Sequence, residues 1–194
     1  MPSHFGAPAK VSVSEIENKI QINLLSYNPD GKLSSKVSST LMRNVADYLS
    51  DYRMLNDYLV LGSAQVLDMG IDVSLIIDPA YNQAEIVTEI ITKVDEFFNT
   101  DGRELGSNIF TGTLSKDISQ IEGVINLTDI EYFSKIGEGY SSSEVSQSYS
   151  DVQTRQISLV DGTIFAQPNQ IFQVRYPTKD ISVRLKPLNQ VSIR

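Results

Sequence analysis

The sequence predicts an α+β fold: two main helices packed on a small mixed sheet, with a C-terminal antiparallel β-rich portion. Two long segments carry apolar residues at helical spacing, several shorter ones carry them at alternate positions, and turn residues separate these segments. The chain has 194 residues and no cysteine. It therefore fits one domain, or one domain with a small appendage, held by a hydrophobic core without disulfides.

The first predicted strand is Lys19–Tyr27. Apolar residues occupy alternate positions at Ile20, Ile22 and Leu24, and the turn-forming residues 28–31 follow. The alternative is a helix that begins at Ser14, with Glu17 completing a capping box. The turn favours the strand for the second half of the segment.

Two helices are predicted where apolar residues recur every three or four positions. The first follows the serine-rich residues 34–39, and the second covers residues 82–99. The apolar positions are Leu41, Val45, Tyr48, Leu49 and Tyr52 in the first helix, and Ile86, Ile90, Val94 and Phe97 in the second. A short third helix with Leu114 and Ile118 is expected to end at Gly123.

Strands are predicted on either side of the second helix. Residues 59–61 and 71–77 precede it, residues 124–133 follow it, and residues from 157 onward form an antiparallel meander. The resulting division has four segments: a flexible N-terminal segment (1–18), an α+β module (19–136), a Ser/Gly-rich loop (137–153) and a β-rich C-terminal portion (154–194).

Composition argues against several classes of function. Sixteen basic and 24 acidic residues give a net charge of −8, which disfavours nucleic acid as a partner. No apolar run is long enough to cross a bilayer, so no membrane partner is expected. The one histidine, His4, lies near the N-terminus. We therefore expect no enzyme activity, no small-molecule substrate, no cofactor and no metal site.

Carboxylates are the plentiful catalytic residue type. They form two groups in the sequence, one of Asp68, Asp72 and Asp78 and one of Glu85, Glu89, Asp95 and Glu96. Asp72 and Asp78 share strand parity, opposite to that of the apolar residues of the strand 71–77, and the three glutamates lie on the polar side of the predicted helix. Their positions predict the solvated faces of these elements. The alternative is a hydrolase, which would need two of Asp68, Asp72, Asp78 and Glu85 within about 5 to 10 Å of each other.

Five residues are candidates for a protein interface: Tyr48, Tyr52, Tyr58, Arg175 and Arg184. The last twenty residues hold five basic residues and one acidic residue, a net charge of +4 that could attract an acidic surface. Tyrosine is favoured at interfaces. The alternatives are a basic edge hairpin protected against aggregation, and tyrosines that line a receptor- or glycan-binding groove.

The run 48–57, with Asn44-Val45 before it and Ile71-Asp72-Val73 after it, resembles the baseplate wedge proteins of contractile-tailed bacteriophages, the baseplate J-like family. The resemblance covers about residues 20 to 125 and is closest to the C-terminal part of the larger wedge subunits. Further agreement lies in Leu25-Ser26-Tyr27, Leu105-Gly106-x-x-Ile109, Leu114, Ile118 and Ile121-x-Gly123-Val124.

The resemblance implies a fold and a structural role, with no active site. Wedge subunits of this family assemble with copies of themselves and with other wedge proteins into a ring around the tail hub. The implied partners are thus a second copy, in a homodimer, and other baseplate wedge proteins. The implied location is the virion, after synthesis and assembly in the host bacterial cytoplasm. The chain is short for a whole wedge subunit, so we expect an excised C-terminal fragment.

Overall fold

A computed structural model describes residues 7–17, 19–52, 58–137, 139–145, 149–151 and 155–187. It confirms the predicted α+β class, with helices and mostly antiparallel sheets. The helices in these ranges are α1 (Ser39–Ser50), α2 (Gln83–Phe97), α3 (Thr111–Ser119) and α4 (Pro177–Asp180). The strands are β1 (Lys10–Ile16), β2 (Lys19–Tyr27), β3 (Leu33–Ser34), β4 (Leu59–Ser63), β5 (Gln65–Ile77), β6 (Ile109–Phe110), β7 (Val124–Lys135), β8 (Tyr149–Asp151), β9 (Gln156–Ile157), β10 (Thr163–Ile164), β11 (Gln170–Gln173) and β12 (Ile181–Pro187).

The chain forms two compact units, each built from separate stretches of sequence. The first unit comprises Met1–Val66, Gly102–Ser107 and Ala166–Ile171. The second comprises Leu67–Asp101, Asn108–Phe165 and Phe172–Arg194. The sequence predicts four consecutive segments instead, because local patterns do not reveal which distant stretches pack together.

The first unit contains a four-stranded sheet with one helix on it. Strand β2 pairs antiparallel with β1 and parallel with β4, and the end of β2 pairs with β3. Helix α1 begins after Ser38, whose hydroxyl accepts a hydrogen bond from the Leu41 N–H. Its Val45 packs with Ile22 and Leu24 of β2. The core of this face therefore lies between α1 and β2.

The prediction of a flexible segment over residues 1–18 is wrong for Lys10–Ile16. These residues form β1 and pair with β2 from Lys10↔Leu25 to Ile16↔Lys19. The N–H of Ala9 extends the pairing by donating to the carbonyl of Leu25. Backbone pairing along the whole of β1 supplies the order that its polar composition did not suggest.

The second unit is organised around β5. The sheet that contains it has the order β11-β5-β7-β9-β8, and β12 also pairs with β5. Odd-numbered residues of β5, from Leu67 to Ile77, are buried, as the alternation in sequence predicts for Ile71–Ile77. Helix α2 buries Ile86, Ile90 and Val94 and contacts β12, and α3 contacts β7. None of the helices in the described ranges has both the length and the hydropathy required to cross a membrane.

Two details of the predicted architecture need correction. The main helices α1 and α2 do not share one sheet, since α1 packs on β2 in the first unit and α2 contacts β12 in the second. The C-terminal portion is not wholly antiparallel, because β12 pairs parallel with β5 from Ile181↔Ile71 onward. Both differences arise from pairings between strands far apart in sequence, which alternation alone does not specify.

Candidate interface surface and buried carboxylate

The first unit exposes apolar side chains on the sheet face that α1 partly covers. Cross-strand pairing places Val11 opposite Leu24 and Val13 opposite Ile22, so all four point to the face that α1 covers. Leu24 and Ile22 are buried, whereas Val13 is 65% exposed. Val11 and Ile20 are also exposed. We call Val11, Val13 and Ile20 the β1 patch.

The β1 patch lies on an edge strand. Among the described residues, β1 has β2 as its one strand partner. The far edge of β1 therefore presents backbone N–H and C=O groups that can pair with another strand. An exposed apolar edge of this kind is a site for association with another chain, unless charges or a proline block it. Lys10 and Glu15 lie towards its ends, and Val11 to Ser14 between them are uncharged.

The three candidate tyrosines lie in the first unit. Tyr48 of α1 and Tyr52, just beyond the end of the helix, have ring centroids 5.1 Å apart, and Tyr52 is 71% exposed. The hydrogen bond to Tyr52 raises the pKa of Tyr48. Tyr58 is also exposed, and its carbonyl accepts from the Ile20 N–H at the start of β2. Tyr52 and Tyr58 are thus accessible, whereas Tyr48 is half-buried. Residues 53–57, between Tyr52 and Tyr58, lie outside the described ranges.

The two candidate arginines lie in the second unit and form ion pairs there. Arg184 pairs with Asp72, on an exposed part of the β12–β5 pair. Arg175 pairs with Asp68 at 3.5 Å, and its side chain is 15% exposed. Arg175 therefore presents little surface to a partner, and the basic character of the C-terminal residues is partly neutralised within the chain.

Asp68 is the clearest departure from the expected solvated carboxylates. It is on β5 and fully buried, so the prediction that it faces solvent is wrong. Its Oδ1 accepts from Gln173 Nε2 at 2.7 Å, and its Oδ2 accepts from the Ser141 N–H at 2.5 Å. With Arg175, these donors satisfy a carboxylate that would otherwise be costly to bury.

A second carboxylate holds the same loop. Tyr140 O–H donates to Asp180 Oδ1 at 2.6 Å, and the Tyr176 N–H donates to Oδ2 at 2.8 Å. Partial burial and this hydrogen bond raise the pKa of Tyr140, which keeps the phenol a neutral donor at neutral pH. Lys179 Nζ lies 5.3 Å from the Tyr140 ring centroid. The part of the predicted Ser/Gly-rich loop at 139–145 is therefore anchored to α4 and β5.

Asp68 and Asp72 are too far apart to act as a glycoside-cleaving pair. Asp68 and Asp72 are four residues apart on β5, so their Cα atoms are about 13 Å apart, beyond the separation of a glycoside-cleaving pair. In the described ranges, no three histidine or acidic side chains are placed to share a metal ion. The hydrogen bonds of Asp68 and Asp180 connect β5, β11, α4 and the 139–145 loop.

Asp68 gives a prediction for the pH dependence of stability. Burial raises its pKa above the ordinary 3.8, against the lowering effects of Ser141, Gln173 and Arg175. The native state then holds the proton more tightly than the unfolded state. The contribution of Asp68 to the free energy of unfolding should therefore fall as pH rises from 3.8 through the raised pKa.

The measurement is denaturant unfolding of the wild type and of Asp68→Asn at a series of pH values. Other titrating groups are common to both proteins, so the difference in their stability isolates Asp68. We expect the advantage of the wild type to shrink as pH rises across this range. An advantage that grew with pH would mean that the pKa is lowered in the native state.

The sequence contains a signal for the burial of Asp68 that its grouping with the other carboxylates does not use. Apolar Val66, Leu67 and Met69 surround it, whereas apolar and polar residues alternate from Ile71 to Leu75. An acid flanked by apolar residues on both sides indicates a strand covered on both faces.

Comparison with known proteins does not assign the chain to a family. No protein-family model matches the chain, and none of the curated proteins matches it.

Proposed function

We propose that the chain is a structural assembly module of a contractile phage tail baseplate wedge. In this role it contacts a second copy of itself and other wedge proteins in the ring around the hub, within the virion. The proposal takes the family from the sequence resemblance over about residues 20 to 125. The observation that carries the assembly role is the β1 patch, an exposed apolar surface on a strand edge.

The β1 patch suits a two-fold contact between identical chains. If two β1 strands pair antiparallel about Ser12, Val11 of each copy lies opposite Val13 of the other. Such an arrangement joins the two sheets and pairs backbone groups at both edges. It also removes the exposed valines from water, which favours association by about 25 cal/mol per Å² of apolar surface buried.

The buried carboxylate cluster fits the same proposal. Asp68 and Asp180 are occupied by hydrogen bonds from within the second unit, so both act as anchors of the chain. We assign the chain no catalytic activity, cofactor or metal. Its chemistry in this proposal is the formation of protein contacts.

Substitution of Val13 by lysine tests the surface. A charge at the centre of the β1 edge has to be desolvated when a second β1 pairs with it, which is a known protection of edge strands. We expect Val13→Lys to weaken self-association by about tenfold or more, measured by light scattering over a concentration series. Because Val13 is 65% exposed, the thermal unfolding midpoint should change little.

Ile125→Lys is the matched control. Ile125 is also a half-exposed, β-branched strand residue, but it lies on β7 in the second unit. Its substitution should leave the association constant unchanged. Equal weakening by the two substitutions would point to a general charge effect, and an unchanged constant for Val13→Lys would exclude the β1 edge as the contact.

A further inference from the structure

A groove of about 440 Å³ lies between α3 and β7 in the second unit. Its volume falls within the usual range for binding sites, about 300 to 1,000 Å³. One wall carries three hydroxyl groups at successive turns of α3, from Thr111, Ser115 and Ser119. Ser115 Oγ donates to the Thr111 carbonyl and Ser119 Oγ to the Ser115 carbonyl. Thr111 Oγ1 donates to the Gly162 carbonyl outside the helix. The protons of all three hydroxyl groups are thus used within the chain, and their lone pairs remain as acceptors.

The opposite wall contains a buried donor that lacks an acceptor. Tyr132 of β7 lines the groove, is 1% exposed, and has no hydrogen-bond partner for its hydroxyl among the described residues. Burial strongly raises its pKa, so the phenol is neutral and keeps its proton. Buried hydroxyl groups without a partner are uncommon and costly, and a ligand that supplies an acceptor would remove this cost.

The outer edge of β7 is open beside the groove. Strand β9 pairs with β7 at Phe133, where the Ser134 N–H donates to the Arg155 carbonyl at 3.1 Å. Backbone groups alternate in direction along a strand, so those of Ile130 face the same outer side as those of Ser134. In the described part of the chain, residues 124–131 have no strand partner on that side. This stretch of edge can accept another strand.

We propose that the groove between α3 and β7 binds an extended, basic peptide segment of a partner protein, which adds a strand to the outer edge of β7. A carbonyl or carboxylate of the segment accepts the hydrogen bond from Tyr132, and its donors meet the hydroxyl oxygens of α3. Apolar side chains of the segment contact Ile130 and Leu159. Asp129 of β7 is exposed on the other face of the strand, and a lysine or arginine at the facing position of the added strand would form a cross-strand pair with it.

This inference stands apart from the self-association proposed above. The β1 patch belongs to the first unit, and every residue of the groove belongs to the second. Failure of one contact therefore leaves the other to be judged by its own experiment.

Fluorescence anisotropy with a labelled peptide tests the groove on the full chain. The probe is a peptide of alternating valine with threonine or lysine, and its control is the same peptide with alternate backbone amides methylated. Both have identical side chains and charge, but the control cannot form the strand pairing. We expect the methylated peptide to bind at least about tenfold more weakly.

Tyr132→Phe separates binding from folding. The substitution removes the hydroxyl that lacks a partner, so we expect the thermal unfolding midpoint to stay the same or rise. We expect peptide affinity to fall by about five- to tenfold. The exposed Tyr27→Phe is the matched control and should change neither quantity.

Three results with the peptide would overturn the proposal. They are an absence of peptide binding at millimolar concentration, equal binding of the methylated peptide, and an affinity that Tyr132→Phe leaves unchanged. Binding of a chito-oligosaccharide that depends on Tyr132, in the absence of peptide binding, would assign the groove to a sugar and would also overturn it.

Discussion

Replacing Asp68 by alanine is expected to lower the free energy of unfolding by about 3 to 5 kcal/mol at neutral pH, the cost of breaking a buried ion pair. The loss leaves Arg175, which is 15% exposed, without its carboxylate. It also leaves Gln173 Nε2 and the Ser141 N–H without the acceptor that they share. Denaturant unfolding of wild type and variant measures the difference.

Asp72→Ala is the control for this prediction. Asp72 lies on the same strand and also pairs with an arginine, but Arg184 is mostly exposed and water replaces the lost carboxylate. Its substitution should cost less than about 1 kcal/mol, as exposed ion pairs do. Similar small costs for both variants would show that Asp68 does not hold the second unit together.

Ile90→Ala is expected to lower the free energy of unfolding by about 2 to 5 kcal/mol. Ile90 is the central buried residue of α2 and has no exposed surface. Truncation to alanine removes its transfer free energy and leaves a cavity among Ile86, Val94 and the residues around them. Chemical unfolding followed by circular dichroism gives the value.

Glu89→Ala controls for the helix itself. Glu89 precedes Ile90 in α2 but faces solvent, so its substitution changes helix composition without changing the core. We expect a cost below about 1 kcal/mol. If Glu89→Ala were as costly as Ile90→Ala, the buried face of α2 would be assigned wrongly.

Elements with a strong local pattern were predictable. Helix α2 begins after Asn82, whose side chain accepts from the Ala84 N–H, and it buries the predicted residues Ile86, Ile90 and Val94. Strand β2 has the predicted bounds Lys19–Tyr27, so the alternative helix from Ser14 is wrong. In both cases the period of the apolar residues and the adjacent cap or turn indicate the same element.

Pairing between distant strands was not predictable from these patterns. The alternation of Ile181, Val183 and Leu185 indicates a strand, but it is equally compatible with either direction of pairing. Strand β12 runs parallel to β5 because the chain returns through α4 to the edge that β5 leaves open. Crossovers of this kind depend on the whole topology, which a local window of sequence does not contain.

The buried carboxylate was missed for a related reason. Asp68 and Asp72 share strand parity, so periodicity assigns them to one face. The 139–145 loop and Gln173 cover that face at Asp68, whereas Asp72 stays partly exposed. Alternation along a strand shows which residues share a face of the sheet. How much of that face is covered depends on tertiary contacts, which alternation does not reveal.

The mass of the chain in solution is the most direct test of the assembly role. Light scattering at tens of micromolar protein, at low and at moderate salt, distinguishes a single chain of 21.6 kDa from a pair. We expect twice the chain mass at both salt concentrations, because the β1 contact is mainly apolar and is weakly affected by screening. A mass of 21.6 kDa under both conditions would contradict self-association through β1.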